Sequence, residues 1–473
     1  MPNLFTLIAL LCWIPLSVAI FMWLPVARAL SVSYVAGWLL LPFVSYDLPA
    51  MPDFSKANAV FAGSAIGLLI SRDARRLFGT FRFMWFDLLA GLLCVSAIIT
   101  SILNGLGIWD GVASSILFLC MWTGPYFLGR LAFRSTDDVF ELAKAIFVGG
   151  LGYIPLCLFE IRMSPQLHGM LYGSWARAST SLRFGGYRPS VFLECGIELG
   201  MWMTASCLVG IVLWHQGRYR KLAGMPVSAL LFALLVTTIL CKSTGALALF
   251  VLGLGCWVAG RHLRSGKPVA ILVMSAVIYI IVRGAGLYDG AEVVDFTRQY
   301  VDEERAASLE FRLKNEDLLC VKAFERPWFG WGGWGNARVY DDEGNDISVT
   351  DGRWIIIFGN LGLIGLLGTY GTLLCPCLSA IRRYGGQLCR SQEAAPVVAL
   401  IVTVALFAFD SLLNNFANPI YLLSAGAVGS IAKLAPWQTF HEGAKPATTT
   451  PWPSLQRRSW PPPSQKHPAK LQA

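Results

Sequence analysis

The chain has 473 residues, of which 55% are hydrophobic and only 14% charged, with a net charge of +9 and a mean hydropathy of +0.56. A soluble domain carries about 25% charged residues. A soluble enzyme, a disordered chain and a fibrous protein are therefore excluded, and most of the length is available for membrane spans.

A spanning helix needs roughly 20 apolar residues to cross ~30 Å of hydrocarbon. Thirteen stretches qualify, near 4–25, 27–45, 57–71, 83–103, 111–130, 139–160, 190–213, 224–241, 244–260, 268–284, 354–380, 395–414 and 418–434. The first reads as a span, because no Lys or Arg precedes it and it is longer than the apolar core of a signal peptide. The first two form a tight pair and 57–71 is short. The expected fold is an all-α polytopic membrane bundle of about 12–13 transmembrane helices spanning residues 1–435. The rest, 436–473, is Pro-rich and basic, with Pro461-Pro462-Pro463 unable to join a helix interior; it reads as a solvated, disordered tail.

Alternate short loops are basic. Arg72, Arg75, Arg76 and Arg82 are followed by Arg130, Arg134 and Lys144, by Arg218, Arg220 and Lys221, by Arg261, Arg264 and Lys267, and by Arg382, Arg383 and Arg390. The positive-inside rule assigns these loops and the tail to the cytoplasm. The long loops 161–189 and 285–353 then fall on the other side. No basic helix or aromatic-basic module points to nucleic acid. The 12 cysteines lie mostly in or beside spans and imply no disulfide framework; Cys375 and Cys377 read as packing residues, and no metal is expected.

Polar groups at membrane depth are costly and mark functional candidates. Asp87, Glu194, Glu198, Lys242 and Asp410 stand out. Glu194 and Glu198 share a helix face at i, i+4 and either pair with loop arginines or act as acid/base support. Lys242 lies in a short turn and is either an ordinary turn lysine or faces an anion. The loop 161–189 holds His168 and the arginines Arg162, Arg177, Arg183 and Arg188, with no acidic residue. An acid-free arginine cluster on the non-cytoplasmic side suits phosphate oxygens, through the planar fork of the guanidinium, or lipid headgroups. Arg188 precedes a helix start, whose partial positive charge adds to it.

The loop 285–353 contains a helical stretch at 302–325, in which Leu309, Leu313, Leu318 and Leu319 form an apolar stripe. It is expected to lie on the membrane surface or to lid a cavity. A Gly-Trp cluster with Trp331 and Trp334 follows, suited to interface anchoring and to stacking on sugars. The acidic run from Asp341 to Asp346 fails the full calcium-loop spacing and reads as a solvated turn. Asp351 and Arg353 stand at the mouth of the next span.

The stretch Glu325-Arg-Pro-Trp-Phe-Gly-Trp-Gly-Gly-Trp-Gly335, then Asp351-Gly-Arg-Trp, then Gly359-Asn-Leu-Gly362-Leu-Ile-Gly365-Leu-Leu resembles the O-antigen ligase / O-antigen polymerase family. The likeness covers the overall layout and the segments near 160–200 and 305–370. It departs at two slots: Asp351 stands where many members carry His, and Asn360-Leu361 where they carry Glu. The resemblance implies a metal-independent and cofactor-independent glycosyltransferase of the bacterial inner membrane. Such an enzyme moves a glycan from an undecaprenyl-diphosphate carrier to a glycan or lipid acceptor on the extracytoplasmic face. Carried onto this chain, it implies Arg188 and Asp351 as catalytic residues. Arg177, Arg183, Arg188 and Lys242 would hold the diphosphate, and Trp331, Trp334, Arg353 and His168 would contact sugar or acceptor. Glu194 and Glu198 would support the site. Asp351 can serve as a base but not as a cation. Expected partners are the lipid-linked glycan, membrane lipids and a polysaccharide export complex. The alternatives are a transporter or flippase, for which the chain shows no internal repeat, and a non-enzymatic export component.

Overall fold

Inside hydrocarbon every backbone N–H and C=O must find a partner within the protein, so long apolar runs become helices. A computed structural model describes residues 2–48, 51–174, 182–183, 185–300, 302–333 and 335–432. The tail 436–473, Arg177 and Trp334 lie outside the described residues, as does the side chain of Arg183. The helices are α1 (Leu4–Trp23), α2 (Val26–Leu40), α3 (Lys56–Ile70), the short α4 (Ala74–Gly79), α5 (Asp87–Leu103), α6 (Ile108–Ala132), α7 (Thr136–Met163) and the short α8 (Leu167–Tyr172). They continue with α9 (Gly196–His215), α10 (Val227–Leu240), α11 (Thr244–His262), α12 (Lys267–Gly284), α13 (Ala291–Tyr300), α14 (Glu303–Phe324), α15 (Arg353–Tyr384), α16 (Ala395–Asp410) and α17 (Pro419–Ile431).

The fold is an all-α polytopic bundle. Seven helices (α1, α6, α7, α9, α11, α12 and α15) are long and apolar enough to cross a membrane, and α2, α3, α5, α10, α16 and α17 are shorter apolar helices. Each of the thirteen apolar stretches read from the sequence overlaps one of them. Strand is confined, among the described residues, to three two-stranded ribbons: Ser45–Leu48 with Met51–Ser55, Leu182–Arg183 with Gly186–Tyr187, and Lys221–Leu222 with Met225–Pro226. Helices α9, α16 and α17 are apolar on every face and almost wholly buried, as expected of helices surrounded by others.

The helix expected at 302–325 forms as α14. Leu313 and Leu319 on it are buried and Leu309 is partly so, but Leu318 is exposed, which narrows the stripe. A second helix, α13, was not legible in the sequence; it packs on α14 through Val294, Ala306 and Leu313. One carboxylate latches α14 to the bundle. Glu316 accepts from Trp354 Nε1 at 3.0 Å and from the Tyr279 hydroxyl at 2.8 Å, and faces Arg283 Nε at 3.4 Å. Burial pushes this carboxyl up from the usual range, with those three partners opposing the shift.

Helix α15 is broken. Gly362 sits at φ 65°, ψ −163° within it, and the carbonyls freed by the break are taken by the Gly-Trp loop. Trp331 N donates to Gly359 O at 2.8 Å, Gly332 N to Asn360 O at 3.0 Å, and Leu363 N to Pro327 O at 2.7 Å. From the other side, Thr100 Oγ1 donates to Phe329 O at 2.7 Å and Asn104 Nδ2 to Gly330 O at 3.1 Å. Two backbones pass at a distance that excludes a Cβ: one at Gly362 would run into Trp328, and one at Gly330 into Asn360. The two Gly-rich motifs singled out in the sequence are thus one interlocked structure. Gly362→Ala should destabilise the protein by about 2 kcal/mol or more, from backbone strain alone, read as a lower melting temperature in detergent with loss of monodisperse protein. An unchanged melting temperature would contradict the interlock.

Candidate functional site

Arg188 leaves the short ribbon before α9 and is only 6% exposed. Its side chain crosses Gly196, where a Cβ would stand 2.7 Å from its Cδ and Nε. Its Nη2 donates to Ser243 Oγ at 2.9 Å. Ser243 in turn sits on Gly200, where a Cβ would meet its Oγ at 2.5 Å. Gly196 and Gly200 are four residues apart, so one face of α9 seats both partners. Lys242 precedes Ser243 with a left-handed φ of 54°, and its Nζ lies where a Cβ on Gly186 would be. The expected phosphate-binding pair Arg188 and Lys242 is therefore brought together.

The turn that follows Arg188 is pinned by a residue the sequence reading left inside a span. Glu160 is fully buried and accepts from Ser190 N at 2.9 Å, Val191 N at 2.8 Å and Leu167 N at 3.0 Å. Val191 holds φ 53°, an uncommon conformation for a β-branched residue. Three backbone donors on one carboxylate offset that strain.

Arg188 and Asp351 join one polar network. Asp410, at the end of α16, lies within electrostatic range of both Arg188 and Arg312. Its Oδ1 accepts from Asn414 Nδ2 at 3.0 Å, and its Oδ2 has no hydrogen-bond partner among the described residues. Arg312, on α14, donates to Asn414 Oδ1 at 3.2 Å and to Leu413 O at 2.9 Å. Its Nε lies 3.4 Å from Asp351 Oδ2, and the Asp351 side chain is 39% exposed. The cation facing Asp351 is thus Arg312, which was not among the candidates read from the sequence.

The paired carboxylates part company. Glu198 is buried and accepts from Trp38 Nε1 at 2.8 Å, from Glu194 N at 3.0 Å and from Asn418 Nδ2 at 3.4 Å. No arginine pairs with it among the described residues; the nearby cation is Lys56, buried 4.2 Å from the centre of the Trp38 ring. Glu194 is exposed and lies within electrostatic range of Lys56 and Arg353.

Arg353, the first residue of α15, is 9% exposed. Its backbone N–H donates to Ser411 O at 2.9 Å, next to Asp410, and its Nη2 reaches Asn415 O at 3.4 Å. Its guanidinium stands 5.0 Å from the Trp122 ring centre, on a π-helical turn of α6 at Leu119–Thr123. A small cleft lies beside it, lined by Leu319, Ala337, Thr350, Ile355, Asn360 and Asn415.

Two residues expected to touch sugar are already engaged. The Trp331 indole N–H donates to Lys322 O at 2.9 Å, and its ring is faced by Lys322 Nζ at 3.8 Å and by Arg326 at 4.2 Å. His168 accepts from Phe43 N at Nε2 (3.0 Å), and its Nδ1 faces Ser174 O at 2.8 Å. At the other end of α5, Asp87 is fully satisfied by Arg130 at 2.8 Å and 2.9 Å, by Tyr126 at 2.6 Å and by Met84 N at 2.7 Å. It leaves no open carboxylate for an ion path. The Asp341–Asp346 turn uses its own carboxylates: Asp341 accepts from Glu343 N and Asn345 N, and Asp346 pairs with Arg338.

The chain matches no protein-family model and no curated protein, so the reading of the site rests on its own residues.

Burial holds the His168 ring below its ordinary value, with the Lys56 charge acting in the same direction and the Ser174 carbonyl opposing. The fold therefore favours neutral His168. Its contribution is complete above the ordinary value of about 6.5 and is lost as pH falls through the lower folded value. The melting temperature should fall on acidification from pH 7.5 to 5. His168→Asn should shrink that fall; an equal fall in the variant would contradict the assignment.

Proposed function

We propose that this chain is a glycosyltransferase of the bacterial inner membrane. It moves a glycan from an undecaprenyl-diphosphate carrier to a glycan or lipid acceptor, as the resemblance to the O-antigen ligase / O-antigen polymerase family implies. The polar end that holds Arg188, Ser243, Asp410, Arg353 and Lys56 faces the extracytoplasmic side, because the basic loops occupy the other helix ends. The observation that carries the reading is the network from Arg188 through Asp410, Asn414 and Arg312 to Asp351. It sets a buried guanidinium and two carboxylates around one helix mouth.

A sugar diphosphate is already activated, so the protein has mainly to hold the leaving group and orient the acceptor. The acceptor oxygen attacks the anomeric carbon, the bond from that carbon to the phosphate oxygen breaks, and undecaprenyl diphosphate leaves with the electron pair. The acceptor proton passes to a carboxylate, Asp351 or Asp410, a role worth about 10²–10⁴-fold. Arg188, held by Ser243 and Gly196, stabilises the charge growing on the phosphate. One such pair at ~4 Å contributes up to about 4 kcal/mol at an effective dielectric of ~20, before desolvation. The broken span α15 does not favour a transport reading, since its freed carbonyls are taken by loop amides rather than left to line a path.

Arg188→Lys keeps the charge but loses the fork that spans Ser243 and a phosphate. Transfer should fall about 100-fold or more, with insertion and melting temperature retained. Full activity in that variant would remove the diphosphate clamp. In cells, deleting the gene separates the two reactions of the class: loss of long chains with single repeats retained marks a polymerase, and finished polymer left on its carrier marks a ligase.

A further inference from the structure

Arg353 is the cation whose surroundings are incomplete. It is nine-tenths buried; the exposed Glu194 lies within electrostatic range, but no carboxylate forms an ion pair with it among the described residues. Among the described residues its side chain reaches Asn415 O at 3.4 Å and its Nε has no hydrogen-bond partner. A buried guanidinium left in that state is strongly unfavourable, so the position is explained by a group the protein alone does not supply. Three further features point the same way. Arg353 opens the segment of α15 that runs to the break at Gly362, and a helix N-terminus concentrates partial positive charge. The Trp122 ring that covers it lies on a π-helical turn, a local irregularity common at functional positions. A cleft beside it is lined by Thr350, Ile355 and Asn415, the last being the residue whose carbonyl Arg353 reaches.

We propose that Arg353 anchors a phosphate-type oxyanion, with Trp122 as the aromatic wall of its site. The anion is argued from these residues alone. That it is the diphosphate of a lipid-linked glycan deepens the transfer reading and rests on it. Arg353 then holds the ligand at the mouth of α15, while Arg188, across the Ser411 and Asp410 corner, meets the same headgroup from the start of α9. Asp351, a carboxylate, has no part in binding the anion; Arg353 is the cation of that helix start.

The test is binding rather than turnover. Full-length protein in phosphatidylcholine nanodiscs is titrated with inorganic pyrophosphate and, separately, with undecaprenyl diphosphate incorporated in the disc. Arg353→Gln should weaken binding by about 30-fold, the range of a lost charge-assisted hydrogen bond, and Trp122→Phe should weaken it less. Arg353→Lys keeps the charge without the fork, should also weaken binding, and carries the test if Arg353→Gln does not insert. Dependence with both probes supports recognition of the free anion; dependence with the lipid probe alone supports the lipid-linked source. Binding of neither probe by the wild-type protein, or binding within twofold of wild type in both Arg353 variants, overturns the assignment. The outcomes separate this site from the transfer reading. Arg353-dependent binding without glycan transfer keeps the site and removes the enzyme, whereas transfer with unchanged binding in Arg353→Lys removes the site alone.

Discussion

A charged group inside an apolar bundle costs several kcal/mol unless it finds a partner, and this constraint organises the whole structure. At one set of helix ends Asp87 meets Arg130, Tyr126 and the Met84 amide, and every oxygen is used. At the other set the pairing is unfinished. Among the described residues, Asp410 keeps one oxygen without a hydrogen bond and Arg353 keeps its Nε without one. The contrast distinguishes a cluster that holds helices together from one whose remaining valences suit a ligand.

Close approach makes that arrangement possible. Gly196 and Gly200 let Arg188 and Ser243 lie against α9, and Gly186 leaves room for Lys242. Gly330 and Gly362 let a loop enter a broken helix, so that α15 starts where the mouth of the site needs it. The amphipathic α14 is fixed over this region by Glu316, with Tyr279, Arg283 and Trp354 as its partners. Arg312 is thereby held against Asp351 and Asn414. A break at Gly362 is thus coupled mechanically to the placement of Asp351 and Arg353.

The apolar helices were legible because hydrocarbon thickness imposes a length and a composition on each; a helix formed at all thirteen apolar stretches, and seven of these helices are long enough to cross a membrane. Helix α14 was legible from its amphipathic period, whereas α13 is too short and polar to carry that signal. Within the site, Arg188, Lys242, Asp351 and Arg353 stood out because charge at span ends is rare in such a chain. Lys56, Glu160 and Arg312 did not. Lys56 just precedes the stretch 57–71, Glu160 ends the stretch 139–160, and Arg312 is one of the charges around the apolar stripe of 302–325. Their roles depend on which helices become neighbours, which local periodicity does not encode. The π-helical turn under Trp122 leaves no mark in the sequence at all. Trp331 and His168 illustrate the converse: residue types suited to a ligand, yet satisfied by the protein's own backbone.

We propose that this polar end breaks the bond between a glycan and a lipid diphosphate. The most direct measurement uses purified protein in detergent, with a radiolabelled undecaprenyl-diphosphate glycan, an acceptor glycan or lipid, and neither an ion gradient nor a partner protein. The account predicts transfer of label to the acceptor with stoichiometric release of undecaprenyl diphosphate. A labelled donor that stays intact in detergent, while the same protein in liposomes carries it across the bilayer unchanged, would contradict the account and identify a flippase.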